Sequence, residues 1–472
     1  MRDVPHFCDR GSRDFRRIVH CFLSQPGLPF ASVLSGERIE RIFKRHGNLF
    51  GLDQIYSTVV VLWSFLSQVL QDGKQASCQA AVARIVVFQG RRGAASPTSD
   101  TGDYCRARSK LSEAALRDLS VEIAAEVEEQ APSAWLWKHL HVKLVDGFTF
   151  TMPDTPQNQA TYPSPRTQTK GVGLPIARVA AIISLATAGI LDLSLGPYKG
   201  KETGETALLR ELLGSFHRGD VAVMDRYYCS FLMIMLLLQQ NVQVCARMHH
   251  KRHVDFRRGR RLGKSDHTIL WNKPARPQWM DRATYSAIPE TLELREIRYH
   301  VVEPGLRTKL ITIATTLTDV ERYSKADIAT LYGFRWNSEL DIRSIKQSMN
   351  LAHVRCKSPE MVRKELWTTV LGYNLIRTTA AAAALIHDQQ PRQISFTATC
   401  QYVLSSWMLR SCDFGWRNPA EFDCLQMLKQ ISECQVANRP GRIEPRVIKR
   451  RRHAYKLMQE PRAVLKAKLL RN

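Results

Sequence analysis

The sequence predicts an α/β fold. From about residue 140 onward, segments typical of strands alternate with segments typical of helices, and several strand segments are apolar at nearly every position. Strands that are apolar on both faces are typical of a sheet covered by helices on both sides. The composition favours a folded protein, because 44% of the 472 residues are hydrophobic and 24% are charged, which excludes global disorder.

The N-terminal part, from residue 13 to about residue 130, is predicted to be helical. Apolar residues recur at three- and four-residue spacing over 37–50, 56–70 and 110–129, and a loop rich in Gly, Ser and Arg is expected over 89–103. A helical module with basic loops is a candidate DNA-binding region. A helical packing or dimerisation module explains the pattern equally well.

The predicted sheet begins with an alternating segment over 142–152 that carries Asp146. Two apolar strands follow within 176–196, and a helix is expected to begin at Thr203 or Gly204. A short apolar strand then ends at Asp225. The order of elements is that of a sheet built from strands with intervening helices.

The next part of the chain, from about 249 to 308, is predicted to be a mostly β insertion with a basic loop. Residues 247–264 hold eight Lys and Arg against one Asp, and helices are expected to resume over 325–386. The tail from 439 holds twelve Lys and Arg against two Glu. A run of charge is usually a solvated surface, and contact with a DNA backbone is the alternative.

The charge balance favours a polyanionic partner. Lys and Arg number 68 and Asp and Glu 44, so the formal net charge is +24, with a pI near 9.8. Nucleic acid is the first candidate and an anionic membrane surface the second. The longest apolar runs, 179–191 and 231–238, are shorter than the roughly 20 residues of a membrane span. We therefore expect a cytoplasmic, nucleoid-associated protein with no membrane partner.

Three carboxylates stand out by position. Asp146 lies inside the first predicted strand, Asp225 ends a later strand, and Glu339 lies on a predicted helix far downstream. Ligands of α/β sheets bind near strand ends, and acidic groups that meet there repel one another unless a proton or a cation offsets their charge. Taken singly, a strand-end Asp is more often a turn or cap residue.

The helix that carries Glu339 contains a polar stripe. On a single helix, Tyr332, Arg335, Glu339 and Lys346 fall within roughly 60° of one another. A solvated face with an i,i+4 pair of Arg335 and Glu339 is the alternative, but it explains neither Tyr332 nor Lys346. A carboxylate flanked by cations and an aromatic residue suits a site that binds a metal ion and phosphate.

Tryptophans close to these segments have two interpretations. Trp336 directly follows Arg335, and we expect it to pack in the core rather than to stack on a DNA base. Trp271 and Trp279 in the predicted insertion are rival candidates for base stacking, and the sequence does not choose between them.

The pattern Tyr-x2-Arg-x3-Glu-x6-Lys, formed by the four stripe residues, resembles the signature of the bacterial DDE transposases of insertion sequence family four. Val-Asp146-Gly resembles the family's first catalytic aspartate region, and Gly219-Asp220-x4-Asp225-Arg226-Tyr227 resembles the second. The order of the acids also matches, and the resemblance covers about residues 140–385.

The resemblance implies an RNase H-like catalytic core with a β-rich insertion, flanked by N-terminal and C-terminal helical regions. The predicted regions are a helical DNA-binding region at 1–135, the first part of the core at 136–246, the basic insertion at 247–318, the second part of the core at 319–388, and a helical C-terminal region with a basic tail at 389–472.

The resemblance also implies roles for the site residues. Asp146, Asp225 and Glu339 are expected to be catalytic and to bind two divalent metal ions, Mg²⁺ or Mn²⁺ in its place. The residues expected to contact DNA phosphate are Tyr332, Arg335, Lys346 and Arg226.

The implied function is a DNA transposase that binds the terminal inverted repeats of its insertion sequence. It would cleave double-stranded DNA at the element ends and transfer the strands to target DNA, as a homodimer in the DNA complex. Two alternatives are a domesticated or inactive relative that binds DNA without cutting it, and an RNase H-like nuclease or resolvase.

Overall fold

The structure, a computed structural model, describes most of the chain after residue 32. It covers residues 33–471 apart from 53, 92–94, 96, 166–172, 250, 302–309, 410–419 and 438–459. Much of the predicted basic tail and the first 32 residues therefore lie outside the described residues.

Five helices precede the sheet, and they confirm the helical prediction for this part of the described chain. They are α1 (Gly36–Arg45), α2 (Thr58–Val69), α3 (Cys78–Arg91), α4 (Gly102–Lys110) and α5 (Glu113–Glu129). The caps Ser35, Ser57 and Ser112 each accept a hydrogen bond from the backbone N–H three residues on, which starts α1, α2 and α5. The N-terminal helices are thus specified locally as well as by their apolar faces.

The described part of the chain forms one nine-stranded sheet in the order β3-β2-β1-β4-β5-β9-β8-β7-β6. The strands are β1 (Val142–Thr151), β2 (Ile176–Ser184), β3 (Ile190–Pro197), β4 (Val221–Met224), β5 (Gln243–Arg247), β6 (Arg260–Gly263), β7 (Asp266–Asn272), β8 (Thr291–His300) and β9 (Leu310–Thr315).

The first five strands have the topology of an RNase H-like core. β1, β2 and β3 form an antiparallel meander, while β4 lies parallel to β1 and β5 parallel to β4. This mixture places two parallel strands beside the central strand β1, and the predicted RNase H-like α/β core is confirmed.

The strands between β5 and β9 lengthen this sheet. β9 pairs antiparallel with β5, and β8, β7 and β6 continue outward from it. The buried pair Arg295 and Asp266 joins β8 to β7, with Arg295 Nη2 2.6 Å from Asp266 Oδ2. The basic segment therefore belongs to the same sheet as the core.

Helices cover both faces of the sheet. The remaining helices are α6 (Pro156–Thr161), α7 (Glu205–Glu211), α8 (Phe231–Gln239), α9 (Arg282–Ala287), α10 (Lys325–Gly333), α11 (Trp336–Arg343), α12 (Pro359–Ile386), α13 (Phe396–Leu409), α14 (Ala420–Glu433) and α15 (Arg462–Leu469). Along β1, Leu144 and Phe148 join the core that includes the N-terminal helices and α12, whereas Val145 joins the core that includes α7 and α8.

The long helix α12 is the centre of the helical layer. It packs against α5, α2, α13 and α14. By length and composition it is apolar enough to cross a membrane, but 89% of its most apolar window is buried inside the protein. Its apolar character is therefore that of a core helix, which the search for long apolar runs in the sequence did not detect.

Candidate active site

Asp146 and Asp225 lie next to each other on neighbouring parallel strands. Val145 of β1 is level with Met224, the last residue of β4. Asp146 and Asp225 each follow that pair by one residue, so the register brings the two acids to the same level of the sheet. Apolar residues on both sides of these strands fix the register, because a slip by one residue would turn the buried side chains outward.

Glu339 is brought to β1 by helix α11. Two residues further along this helix, Asp341 is only 2% exposed and pairs with Arg377 of α12 at 2.9 Å and with Arg392 at 2.8 Å. Positions two residues apart lie on opposite sides of a helix. The buried ion pairs of Asp341 therefore anchor one side of α11 and leave Glu339 on the side of the site.

Arg335 links two of the acids. Its Nη1 lies 3.4 Å from Asp146 Oδ2, and its Nη2 lies 2.6 Å from Glu339 Oε1. The exposed fractions of these side chains are 17% for Arg335, 17% for Asp146 and 38% for Glu339, so the cluster is partly open to solvent. A guanidinium thus lies between two carboxylates in the position that a bound cation would occupy.

Asp146 is held by hydrogen bonds from two further groups. The Ser338 hydroxyl lies 2.7 Å from Asp146 Oδ2, and the Gly147 N–H donates to Asp146 Oδ1 at 2.9 Å. Burial nevertheless raises the pKa of Asp146, and the charge of Glu339 adds to that rise, while Ser338, Arg335 and Gly147 oppose it. The neighbours of Asp146 therefore compensate its charge incompletely.

Asp225 belongs to the same neighbourhood through Tyr332. Burial raises the pKa of Tyr332 well above its ordinary value, Arg335 lowers it and the charge of Asp225 raises it. Tyr332 is 4% exposed, so its ring lies in the core beneath the acids and its hydroxyl keeps its proton. The three predicted acids thus share one region of the structure, with Arg335 and Tyr332 between them.

The predicted polar stripe does not lie on one continuous helix, and that expectation is wrong. Helix α10 ends at Gly333 and α11 begins at Trp336, while residues Ser344–Ser348 form a π-helical turn. Glycine is a weak helix former, and π turns are frequent at functional sites. Lys346 nevertheless reaches β1, because its Nζ donates to the Thr149 carbonyl at 2.9 Å.

The helix break also changes the positions of the tryptophans. Trp336 is 47% exposed, so the expectation that it packs in the core is wrong. Trp271 is 4% exposed, with its Nε1 donating to Glu296 Oε1 at 2.8 Å, which removes it as a candidate for base stacking. Trp279 is 36% exposed, and its ring carries the Arg210 guanidinium at 4.0 Å from the centroid.

Two residues of the site were not predicted from the sequence. Ser338 is fully buried against Asp146, and Glu205 lies close enough to Asp146 and Asp225 for both charges to raise its pKa. A small residue directly before Glu339 in the motif was a signal for Ser338. Glu205 offered only an acid in the first turn of α7, which is common in helices. Arg226, half-buried beside Asp225, keeps its predicted phosphate contact as a prediction.

The donor set fits a divalent cation once Arg335 moves. Among the described residues, no group of three His, Cys, Asp or Glu side chains is arranged to hold a metal ion as the site stands. The acids that converge here offer only carboxylate oxygens, which are the ligands that Mg²⁺ and Mn²⁺ prefer. The guanidinium of Arg335 already stands in for a cation between Asp146 and Glu339.

Comparisons with known proteins bear on this site. A family model described as Transposase DDE domain matches residues 137–375, which is half of the chain and contains all three acids. Transposase InsG for insertion sequence element IS4 of Escherichia coli (strain K12) is 24% identical over 445 residues, which cover 92% of this chain and 94% of the relative.

Two further matches are weaker. Putative transposase InsZ of the same organism is 27% identical over 105 residues, covering 22% of this chain and 34% of the relative. Among solved structures, the cryo-EM structure of the piggyBac transposase synaptic complex with hairpin DNA is 8% identical, with a TM-score of 0.43 over 88% of this chain and 85% of that chain.

Proposed function

Because the chain belongs to the DDE transposase family, we propose that it binds the terminal inverted repeats of its own insertion sequence and moves that element by cut-and-paste. Transposases of this family are metal-dependent enzymes that act on DNA. The observation that carries the proposal is the convergence of Asp146, Asp225 and Glu339, which are far apart in the chain, around Arg335 and Tyr332.

The three carboxylates are proposed to hold two Mg²⁺ ions, with Mn²⁺ able to replace them. Divalent ions bound there supply Lewis-acid stabilisation of the attacking and leaving oxygens of a phosphodiester. Asp146 is rigid for this task, because β1 pairs on both sides and Ser338 fixes its carboxylate at 2.7 Å.

Arg335 is proposed to exchange partners when DNA binds. In this structure it neutralises Asp146 and Glu339, and its planar guanidinium suits a phosphate equally well. Lys346 reaches the same strand at Thr149 and offers a second positive charge. Tyr332, protonated at any physiological pH, offers a hydrogen-bond donor below them, and Arg226 is the fourth proposed phosphate contact.

The basic loop before β7 is proposed to contact the DNA backbone. Arg257, Arg258, Arg260 and Arg261 are all exposed in this loop. Neutralised phosphates release counterions, so the logarithm of the affinity for DNA is expected to fall linearly with the logarithm of salt concentration. A flat response in a binding titration from low to moderate salt would contradict this role of the loop.

Both ends of an element are cut together in cut-and-paste transposition, so we propose a homodimer on DNA. The region 401–429 is the predicted contact between the two copies, and only part of it lies within the described residues. Light scattering of the protein with and without DNA bearing element ends measures this state.

The test of the function is cleavage of DNA that carries the element's own ends. With Mg²⁺ or Mn²⁺, the wild type is expected to cut at the ends and join the strands, and Glu339→Gln is expected to bind the same DNA without cutting it. The matched control is Glu290→Gln, which removes an exposed carboxylate in the sheet extension. Binding without cleavage by the wild type would support an inactive relative, and cleavage of branched DNA regardless of sequence would support a resolvase.

A further inference from the structure

A fourth carboxylate, that of Glu205, lies directly on the strand that carries Asp146. A Cβ atom at Gly147 would lie 2.5 Å from Glu205 Cδ and 2.8 Å from both Cγ and Oε1. Such distances are far shorter than van der Waals contacts, so the Glu205 side chain occupies the space that any other residue at position 147 would fill. Gly147 therefore admits Glu205 to the strand at the position next to Asp146.

The charges around Glu205 come from the catalytic acids. Burial raises its pKa, the charges of Asp146 and Asp225 raise it further, and Arg178 opposes the rise. The Arg178 guanidinium is engaged elsewhere, since its Nη1 donates to the Thr203 carbonyl at 3.1 Å. The Tyr228 hydroxyl lies 3.4 Å from Glu205 Oε2, a distance at which hydrogen bonds are weak. Glu205 thus faces two other acids with little compensation.

A purely structural role explains only part of this arrangement. An acid in the first turn of α7 stabilises the helix by its interaction with the helix dipole. That effect requires an exposed or lightly buried carboxylate near the backbone N–H groups. It does not explain why the side chain lies over Gly147 beside two like charges, which costs free energy unless a cation compensates it.

Asp146 is common to two groupings of acids. Through Arg335 it is connected to Glu339, and its own charge acts on Glu205 together with that of Asp225. The first grouping already contains a positive charge, and the second contains only acids and tyrosines. A second cation is therefore needed on the side of Glu205.

We propose that Glu205 is a fourth catalytic carboxylate, which acts with Asp146 and Asp225 to bind a divalent cation. This inference rests on the proposed function, and it extends the ligand set beyond the three acids of the family motif. Gly147 is part of the same device, because it leaves the space through which Glu205 reaches the site.

The test is a titration of the full-length protein with Mn²⁺, followed by calorimetry and by the electron paramagnetic resonance signal of free Mn²⁺. Glu205→Gln is expected to weaken Mn²⁺ binding by about 10–100-fold, as outer ligands of metal sites do when removed. The matched control is Glu202→Gln, which removes an exposed acid that pairs with Arg210 three positions earlier. An Mn²⁺ affinity and stoichiometry equal to the wild type in Glu205→Gln would overturn the proposal.

A second variant guards against misfolding. Glu205→Asp keeps the charge and shortens the side chain, so we expect it to fold and to bind Mn²⁺ more weakly than the wild type. If it binds Mn²⁺ as tightly as the wild type, the reach of Glu205 over Gly147 is irrelevant and the proposal fails.

Cleavage assays separate this proposal from the function on which it rests. Glu205→Gln is expected to cut element ends about 10–100-fold more slowly than the wild type and to recover in part at higher Mn²⁺. If the wild type cuts and Glu339→Gln does not, while Glu205→Gln cuts and binds Mn²⁺ normally, only the role of Glu205 is lost. If the wild type itself never cuts DNA ends, the proposed function fails, and the Mn²⁺ titration still decides the ligand set.

Discussion

Strand β1 contacts two groups of charged residues that lie three positions apart and differ in how fully their charges are compensated. Near its start, the buried Lys143 donates to Glu128 at 2.6 Å, and His141 lies 2.9 Å from the same carboxylate. Burial would raise the pKa of Glu128, but the hydrogen bonds from His141, Lys143 and Ser184 and the charge of Lys143 lower it to about 2. At Asp146 the balance goes the other way, and the pKa is raised.

The difference identifies which group stabilises the fold and which is available for chemistry. Glu128 has several donors to itself, one of them a buried cation. Asp146 shares Arg335 with Glu339 and lies beside further acids. Carboxylates whose charge the protein leaves under-compensated are typical of sites that bind cations or substrates. The same strand therefore holds a completed ion pair and an incomplete one.

The largest expected effect is on catalysis. We predict that Asp146→Asn lowers the rate of end cleavage by about 10³-fold or more, because loss of a metal-binding carboxylate removes several kcal/mol of transition-state stabilisation. Single-turnover cleavage with Mn²⁺ measures the effect, and circular dichroism checks that the fold is retained. A rate within tenfold of the wild type would place Asp146 outside the catalytic site.

The second effect is on stability and belongs to the other group. Glu128→Gln should lower the free energy of unfolding by about 3–5 kcal/mol, because it leaves Lys143 buried without its charged partner. Denaturant unfolding measures this difference. The control Asp103→Asn breaks the exposed pair with Arg106 and should change stability by at most about 1 kcal/mol. Equal losses in the two variants would show that the pair at Lys143 is no more stabilising than a surface pair.

The third expected effect is the pH dependence of that stabilisation. The pKa of Glu128 is lowered from 4.5 to about 2 on folding, so its contribution is fully present above pH 4.5 and is lost as the pH falls toward 2. The stability difference between the wild type and Glu128→Gln should therefore shrink across that window. Unfolding titrations at pH 7, 4.5 and 3 test the sign, and a difference that grows on acidification would contradict it.

The three acids could be predicted from the sequence because each belongs to a recognisable local pattern. Asp146 and Asp225 follow apolar strand segments, and Glu339 lies in a spaced motif. Glu205 could not be found in this way, because its role depends on how α7 packs over Gly147, a contact between residues 58 positions apart in the chain.

The fold itself was predictable to the same extent. The strands up to β5 are short apolar segments between turn residues, and their helical neighbours have clear periodicity. The pairing of β9 with β5, which makes the insertion part of one sheet, is long-range and leaves no local signal. The position of Trp336 was wrong for a related reason, since the helix-wheel argument assumed one axis across the break before α11.

The smallest expected effect is the sharpest test of the comparison along β1. Because the folded state raises the pKa of Asp146, its ionised carboxylate destabilises the fold at neutral pH, and the neutral side chain of Asn removes that cost. Asp146→Asn should therefore raise the free energy of unfolding at pH 7 by about 0.5–2 kcal/mol, the scale on which catalytic sites trade stability for function. The gain should vanish as the pH falls and Asp146 of the wild type takes up its proton. Thermal unfolding in the absence of divalent ions measures it. A loss of stability like that of Glu128→Gln would mean that Arg335 and Ser338 compensate Asp146 completely, and the contrast between the two ends of the strand would disappear.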